Sequence, residues 1–144
     1  MSRIAATLIA GLLATPVFAD GHAVGDATKG EKGFNKCKSC HMIESADGES
    51  IVKGGRTGPN LYGVIGRQAG TVEGFRYGDD LVAAGEAGLV WDAENFLTFI
   101  EDPRTFLREY LDDSKAKSKM TLKLKSGGED ILAFLVSVGP EATN

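Results

Sequence analysis

The sequence predicts an all-α domain with long loops, and three features support this prediction. Apolar residues recur at the three- and four-residue spacing of amphipathic helices in several segments. Residues that favour helix starts and helix ends flank these segments. No segment shows a convincing strand, hairpin or internal repeat. The chain has 144 residues, 42% of them hydrophobic and 25% charged, which suits one globular domain.

The first predicted helix follows Asp26 or Thr28, either of which would cap it. Thr28 and Glu31 have the spacing of a capping box. We expect this helix to run to about Lys38. Gly30 lies inside it, and a glycine there would allow another helix to cross closely. The alternative is that Gly30 only weakens the start of the helix.

Further helical segments follow the same signals. Asp92 would cap a helix over residues 93–102, and Pro103 would either end it, kink it or open the next one. Ser126 and Glu129 again have capping-box spacing, and Gly139 would stop the last helix. A shorter helix is expected over residues 79–87 and a helical turn over residues 61–66. Residues 112–125 lack a strong apolar face and should form a surface loop.

Residues 1–19 are predicted to be a cleaved secretory signal peptide, which leaves residues 20–144 as a single domain. Arg3 precedes an apolar run over residues 4–14 that is too short to span a bilayer, and small residues at Val17 and Ala19 suit cleavage. An uncleaved membrane anchor is the alternative. Loss of this segment removes one Arg and no acid, so the formal charge changes from −4 to −5. An acidic body argues against general nucleic-acid binding.

The chain's only two cysteines lie in residues 37–41, C-K-S-C-H. This C-x-x-C-H spacing is the attachment signal for a c-type haem. Cys37 and Cys40 would each add across one vinyl group, and His41 would bind the iron. Other uses of the thiols are a redox dithiol, half of a zinc site or a local disulfide. The segment therefore predicts one covalent haem c, with iron as its metal.

A haem iron ligated by one histidine needs a sixth ligand or an open position. Met1 leaves with the signal peptide, and Met42 is too close to His41 in the chain to reach the other haem face. Met120 is the predicted sixth ligand, with His22 as the alternative. His/Met ligation raises the reduction potential and suits electron transfer. With both axial positions filled, we expect outer-sphere electron transfer and no enzyme activity.

Four residues are candidates for the surroundings of the haem. Pro59 would offer a carbonyl to the His41 ring nitrogen that does not bind iron. Arg67, Tyr77 and Trp91 could bind buried carboxylates such as haem propionates. An ordinary loop proline and ordinary half-buried surface residues are the alternatives.

The segment around Met120 is rich in lysine although the protein is acidic. If Met120 binds iron, its loop borders the haem edge, and the lysines could steer docking to acidic partners. A solvated loop without a docking role is the alternative. The candidate docking residues are Lys115, Lys117, Lys119 and Lys123.

At this point the chain resembles a class I cytochrome c, and most of all the bacterial periplasmic cytochrome c₂ group. The resemblance covers most of the chain after residue 19. It is carried, in chain order, by Gly30, Phe34, residues 37–41, Thr57-Gly58-Pro59-Asn60-Leu61, Gly66-Arg67, Trp91, Asp102-Pro103, Lys119-Met120, Glu129-Asp130-Ile131 and Phe134-Leu135.

The resemblance implies the small cytochrome c fold, with long loops around one haem. Its first and last helices cross, with Gly30 and Phe34 meeting Ile131 and Phe134. It also implies that Pro59 supplies the carbonyl to the haem-ligating histidine, and that the propionates lie among the three polar-tipped residues named above. This chain departs from the family at Phe99, where a tyrosine is common, and in longer segments after the C-x-x-C-H motif and between residues 103 and 120.

The function that the resemblance implies is that of a soluble, monomeric periplasmic electron shuttle. It would take electrons from a membrane quinol-oxidising bc-type complex and pass them to a photosynthetic reaction centre or a respiratory terminal oxidase. Two other functions stay open. A haem-based ligand-binding or sensor protein requires a labile Met120, and a thiol–disulfide oxidoreductase requires free or reducible thiols and no covalent pigment.

Overall fold

The structure is a computed structural model that describes residues 25–140. The predicted signal peptide and His22 lie outside the described residues. In the described part, no helix is long and apolar enough to cross a membrane. The α-helices there are α1 (Ala27–Gly33), α2 (Asp79–Glu86), α3 (Ala93–Glu101), α4 (Pro103–Tyr110) and α5 (Gly128–Val138).

Helices α1 and α5 cross closely, as the resemblance implies. A Cβ atom on Gly30 would overlap the Asp130 carbonyl oxygen and lie 2.8 Å from the Phe134 Cβ, so only glycine fits this crossing. The Phe34 and Phe134 rings pack with their centroids 5.8 Å apart. Asp26 caps α1 through the backbone N–H groups of residues 28 and 29, and its own N–H donates to the Asp130 carboxylate at 2.8 Å. The first and last helices are therefore joined by packing and by hydrogen bonding.

Helices α3 and α4 are joined by a single residue, Asp102. Its side chain accepts a hydrogen bond from the Thr105 N–H, which caps α4, and Pro103 is the first residue of that helix. Pro103 therefore opens a helix, which was one of the predicted alternatives. Asp92 caps α3 through the Asn95 N–H, as predicted. The apolar faces of the two helices pack together through Phe99 and Phe106, whose ring centroids are 5.6 Å apart.

The structure differs from the sequence prediction near the haem motif. Helix α1 ends at Gly33 and the chain continues as a 3-10 helix over Phe34–Lys36, so the α-helix does not reach Lys38. A small antiparallel hairpin pairs β1 (Ile43–Glu44) with β2 (Ser50–Val52), although no strand was predicted.

Two further local predictions were wrong. Residues 61–66 form turns and not a helical segment, because Gly63 and Gly66 adopt φ angles of 63° and 87°. Ser126 does not cap α5, because Gly127 takes the N-cap position with a left-handed backbone and no side-chain hydrogen bond. The other predicted helices appear within a residue or two of their expected bounds, and the all-α fold class is confirmed.

The segment between α4 and α5 is an extended surface loop. Residues 112–126 contain no helix or strand, all of them being described. Two buried residues anchor this segment, Ala116 and Leu124. The Leu124 N–H donates to the Ile100 carbonyl at 2.8 Å, and the Ala116 carbonyl accepts from the Arg108 Nε at 3.2 Å. Met120 lies between these two anchors.

Candidate haem site

A cavity of about 330 Å³ lies between the helices and the loop after α4. Four side chains with the chemistry predicted for a haem site line it together: Cys37, Cys40, His41 and Met120. Most of the remaining lining is apolar and includes Phe34, Leu61, Val64, Leu81, Phe96, Phe99, Ile100, Leu124, Ile131 and Leu135. Residues 83 positions apart in the chain are thus brought to one apolar space.

The backbone before the hairpin turns tightly and presents the haem motif. The N–H groups of Cys40 and His41 both donate to the Cys37 carbonyl at 3.0 Å. The two thiols are free and differ in environment. Burial raises the pKa of the Cys37 thiol, whereas hydrogen bonds from the Thr57 and Ser39 side chains lower the pKa of the exposed Cys40 thiol.

The His41 ring is held by its neighbours in one orientation. Its Nδ1 lies 2.8 Å from the Pro59 carbonyl oxygen, and because a carbonyl only accepts, Nδ1 carries the proton. The Nε2 atom is then the nitrogen with a lone pair for a metal. Burial lowers the pKa of His41, which favours the neutral ring that metal binding requires. A Cβ on Gly58 would lie 2.6 Å from Nδ1 and 2.8 Å from Nε2, so the backbone at Gly58 packs against the ring face.

Arg67, Tyr77 and Trp91 also line the cavity. The Arg67 guanidinium donates to the Tyr62 carbonyl at 2.9 Å and to the Asn60 carbonyl at 3.0 Å. The Tyr77 hydroxyl accepts a hydrogen bond from the Val72 N–H at 3.3 Å. Trp91 is 8% exposed. The structure therefore brings all three predicted residues to the cavity, and their contact with propionates stays a prediction.

The four candidate docking lysines differ in their surroundings. The Lys119 ammonium donates to the Arg76 and Tyr77 carbonyls at 3.2 and 3.0 Å. The Lys123 ammonium pairs with the Asp102 carboxylate at 2.6 Å. Lys115 and Lys117 are exposed and belong to the same loop. Two of the four charges therefore hold the loop to the rest of the protein, which the sequence could not indicate.

Two residues near His41 were not singled out from the sequence. Gly58 packs against the imidazole, as described above. Asn60 joins the loop of Pro59 to the hairpin, since its side chain accepts from the Glu44 N–H at 3.1 Å and donates to the Glu44 carbonyl at 2.7 Å. Both belong to the Thr57–Leu61 motif, and this motif was the feature of the sequence that could have indicated them. The spacing of residues along the chain does not show that Asn60 contacts Glu44 or that Gly58 contacts His41.

The residues of the cavity fit a covalently attached haem. A macrocycle needs a largely apolar cavity, and covalent attachment needs two thiols at C-x-x-C spacing. Iron binding by histidine needs a ring nitrogen without a proton, which the Pro59 contact leaves at Nε2. A thioether lining the same cavity, that of Met120, completes a donor set suited to haem iron.

Known proteins resemble this chain over nearly its whole length. Cytochrome c-551 of Roseobacter denitrificans is 69% identical over 139 residues, which is 96% of each chain. Cytochrome c2 of Rhodobacter capsulatus is 55% identical over 138 residues, or 96% of this chain and 97% of that one. No protein-family model matches the chain.

Solved structures share the fold. The structure of cytochrome c2 from Rhodobacter capsulatus matches with a TM-score of 0.77 and 58% identity, over 79% of this chain and 98% of that one. Ferric cytochrome c-550 from Paracoccus versutus matches with a TM-score of 0.78 and 51% identity, over 81% and 99% of the two chains. The chain therefore belongs to the class I cytochromes c, in the cytochrome c₂ group of electron carriers with a single covalent c-type haem.

Proposed function

We propose that this protein is a periplasmic electron carrier whose haem is held by Cys37 and Cys40 and whose iron is bound by His41 and Met120. The observation that carries the proposal is that these four side chains line one apolar cavity. The His41–Pro59 contact supports it further, because it leaves Nε2 free for the metal. When bound, the haem supplies a one-electron couple between ferric and ferrous iron.

The chain's own residues would make this couple an outer-sphere one. His41 and Met120 would both bind the iron, which would leave no position on it for a substrate. The thioether of Met120 and the apolar lining would favour the reduced state and so raise the reduction potential. We therefore propose a carrier and not an enzyme. In the haem environment, Pro59 would orient the histidine, while Arg67, Tyr77 and Trp91 would surround the propionates.

We propose export to the periplasm, with residues 1–19 removed and residues 20–144 retained as one domain. Mass spectrometry of protein recovered from the periplasm should give a chain that begins at Asp20. Recovery of the protein in the membrane fraction with Met1 retained would favour the membrane-anchor alternative. We expect the processed protein to be a monomer.

The proposed partners are a bc-type quinol-oxidising complex as donor and a photosynthetic reaction centre or terminal oxidase as acceptor. Docking would be transient and electrostatic, and would use the loop around Met120. Lys115 and Lys117 are the best candidates in this loop. The ammonium groups of Lys119 and Lys123 already have partners within the protein.

The docking proposal is tested by reversing one charge. K117E should slow electron transfer to an acidic partner at low salt and have less effect at high salt, because salt screens exposed charges. K29E, in α1 and away from the cavity lining, is the control with the same change in charge. Equal rates for K117E and wild type at low salt would contradict the proposed docking role.

The proposed ligand set is tested by absorption spectra of the oxidised and reduced protein, produced with haem-attachment machinery. A reduced c-type spectrum with a weak far-red band in the oxidised form would support attachment and Met120 ligation together. Haem bands without the far-red band would contradict Met120 as the ligand of oxidised iron. Rapid carbon monoxide binding by the reduced protein would then favour the sensor alternative.

A further inference from the structure

We propose that Asp80, in the first turn of α2, is a positioning residue that holds Met120 toward the cavity through the backbone of Lys117. This inference rests on the proposed function, because it assumes that Met120 is an iron ligand. It assigns Asp80 a role beyond the cofactor-attachment and docking residues.

The loop that carries Met120 needs such a contact. Ala116 and Leu124 anchor the two ends of the stretch, but the seven residues between them have no regular secondary structure. A thioether can bind a metal reliably only if its backbone stays close to one position. The contacts that the 117–123 stretch makes with the rest of the protein therefore decide how firmly Met120 is presented.

Asp80 makes one of these contacts on the N-terminal side of Met120. Its Oδ2 accepts a hydrogen bond from the Lys117 N–H at 2.8 Å, across 37 residues of sequence. This length is typical of a well-formed hydrogen bond between a backbone N–H and an oxygen acceptor. Asp80 is half-buried and lies in a regular helix, so its position is fixed by α2.

The contact is transmitted to Met120 over only three residues. The Ser118 hydroxyl oxygen accepts a hydrogen bond from the Met120 N–H at 3.1 Å, which folds this short piece of chain on itself. Lys119 binds the carbonyls that precede α2, as described above, and its Cγ would lie 3.3 Å from a Cβ on Gly78. The start of α2 and the loop thus make two neighbouring contacts. One uses the Lys119 side chain, and the other joins the Asp80 carboxylate to the loop backbone at Lys117.

Loss of the Asp80 contact should free the loop without unfolding the protein. The Met120 side chain would then compete less well with an external ligand for the iron, because its bound conformation would be a smaller fraction of the ensemble. The helix itself should survive, since Asp79 remains in its first turn.

The variants D80A and D80N separate the acceptor from the charge. D80A removes both, whereas D80N removes the charge and keeps an oxygen that can accept from the Lys117 N–H. D79A is the matched control, because Asp79 is an exposed acid in the same helical turn. A role in the helix dipole alone would affect D80A, D80N and D79A similarly.

Two measurements on the haem-containing protein test the role. One is the affinity of the oxidised protein for imidazole, a small external ligand that displaces the thioether. D80A should bind imidazole about tenfold more tightly than wild type, and D80N and D79A within about twofold of wild type. The other is hydrogen exchange of the Lys117 N–H by nuclear magnetic resonance, which should be about tenfold faster in D80A and restored in D80N.

The outcomes distinguish this inference from the proposed function. If wild type lacks the far-red band of Met ligation, the proposed function fails first. If wild type shows the band but D80A binds imidazole no more tightly, the positioning role is wrong and Met120 ligation stands. If D80N behaves like D80A in both measurements, the charge matters and the hydrogen bond does not, which also overturns the inference.

Discussion

The crossing of α1 and α5 predicts opposite effects for two alanine substitutions in the same short helix. In G30A the new Cβ would overlap the Asp130 carbonyl oxygen and lie 2.8 Å from the Phe134 Cβ. Neither neighbour can swing aside, since one is helical backbone and the other is the first side-chain atom. The helices would have to separate, which would weaken the Phe34–Phe134 packing.

The size of the effect follows from two opposing contributions. Replacing a helical glycine with alanine is worth about 1 kcal/mol in favour of the helix. Overpacking a tight contact typically costs about 1–3 kcal/mol. Because the new Cβ in G30A would clash with helical backbone, which cannot move aside, we expect a cost near the upper end of this range. We therefore expect G30A to lower the free energy of unfolding by about 2 kcal/mol.

Gly33 supplies the control at the end of the same helix. A Cβ there would lie 3.5 Å from the Ile131 Cγ1, which is an ordinary contact. G33A should keep the benefit of the helix former and raise the free energy of unfolding by up to about 1 kcal/mol. The sign of the change thus differs between two glycines three residues apart.

The assay is guanidinium unfolding of the haem-containing protein, followed by fluorescence of the single tryptophan, Trp91. The folded protein should show little tryptophan fluorescence, because the haem would lie in the cavity that Trp91 lines and would quench it, so the fluorescence should rise on unfolding. Equal stability of G30A and wild type, or an equal loss of unfolding free energy in G30A and G33A, would refute the steric explanation of the glycine at the crossing.

Three further predictions concern other parts of the fold. The hydrogen bond from Lys123 lowers the pKa of Asp102 from an ordinary 3.8 to about 2, so the contribution of Asp102 to stability is full above about pH 4 and is lost as the pH falls toward 2. The difference in unfolding free energy between wild type and D102N should therefore shrink over that range, and a difference independent of pH would contradict the lowered pKa. Asp112 has a φ of 50°, a left-handed backbone conformation that glycine adopts more easily than alanine, so D112A should be about 1 kcal/mol less stable than D112G in urea unfolding. Equal stabilities of the two variants would show that the left-handed backbone is not retained. In G58A the new Cβ would clash with the His41 ring and displace it, so the Nδ1–H proton should exchange faster with solvent in nuclear magnetic resonance spectra. An unchanged exchange rate would mean that the loop around residue 58 moves and that the His41 ring stays in place.

Much of the helical framework was predictable because its signals are local. Asp92 before an apolar face and Pro103 after an aspartate each act over one turn of chain, and both helices begin where these residues indicate. Gly30 was correctly interpreted as a crossing point, since a glycine in a helix with an apolar face suggests close approach. The hairpin was missed because strands of two and three residues are too short to show alternation.

The site was predictable in composition but not in its contacts. The C-x-x-C-H motif identifies three groups, and the scarcity of histidine and methionine points to Met120. The contacts made by Lys119, Lys123 and Asp80 join residues 21 to 43 positions apart. Nothing in local spacing indicates which lysine of a basic loop pairs within the protein and which stays exposed.

The joining of the first and last helices has a consequence for the order of events in the protein's assembly. The contact between Asp26 and Asp130 spans 104 residues, so the chain cannot close this crossing until its final helix has been made. Contacts of such long sequence separation are slow to form, because the intervening chain must lose much of its freedom first. The thiols at residues 37 and 40 precede α5 by about 90 residues, so they emerge well before this crossing can close. The topology thus leaves a period in which a pigment can be attached to an open chain, before α5 completes the cavity around it.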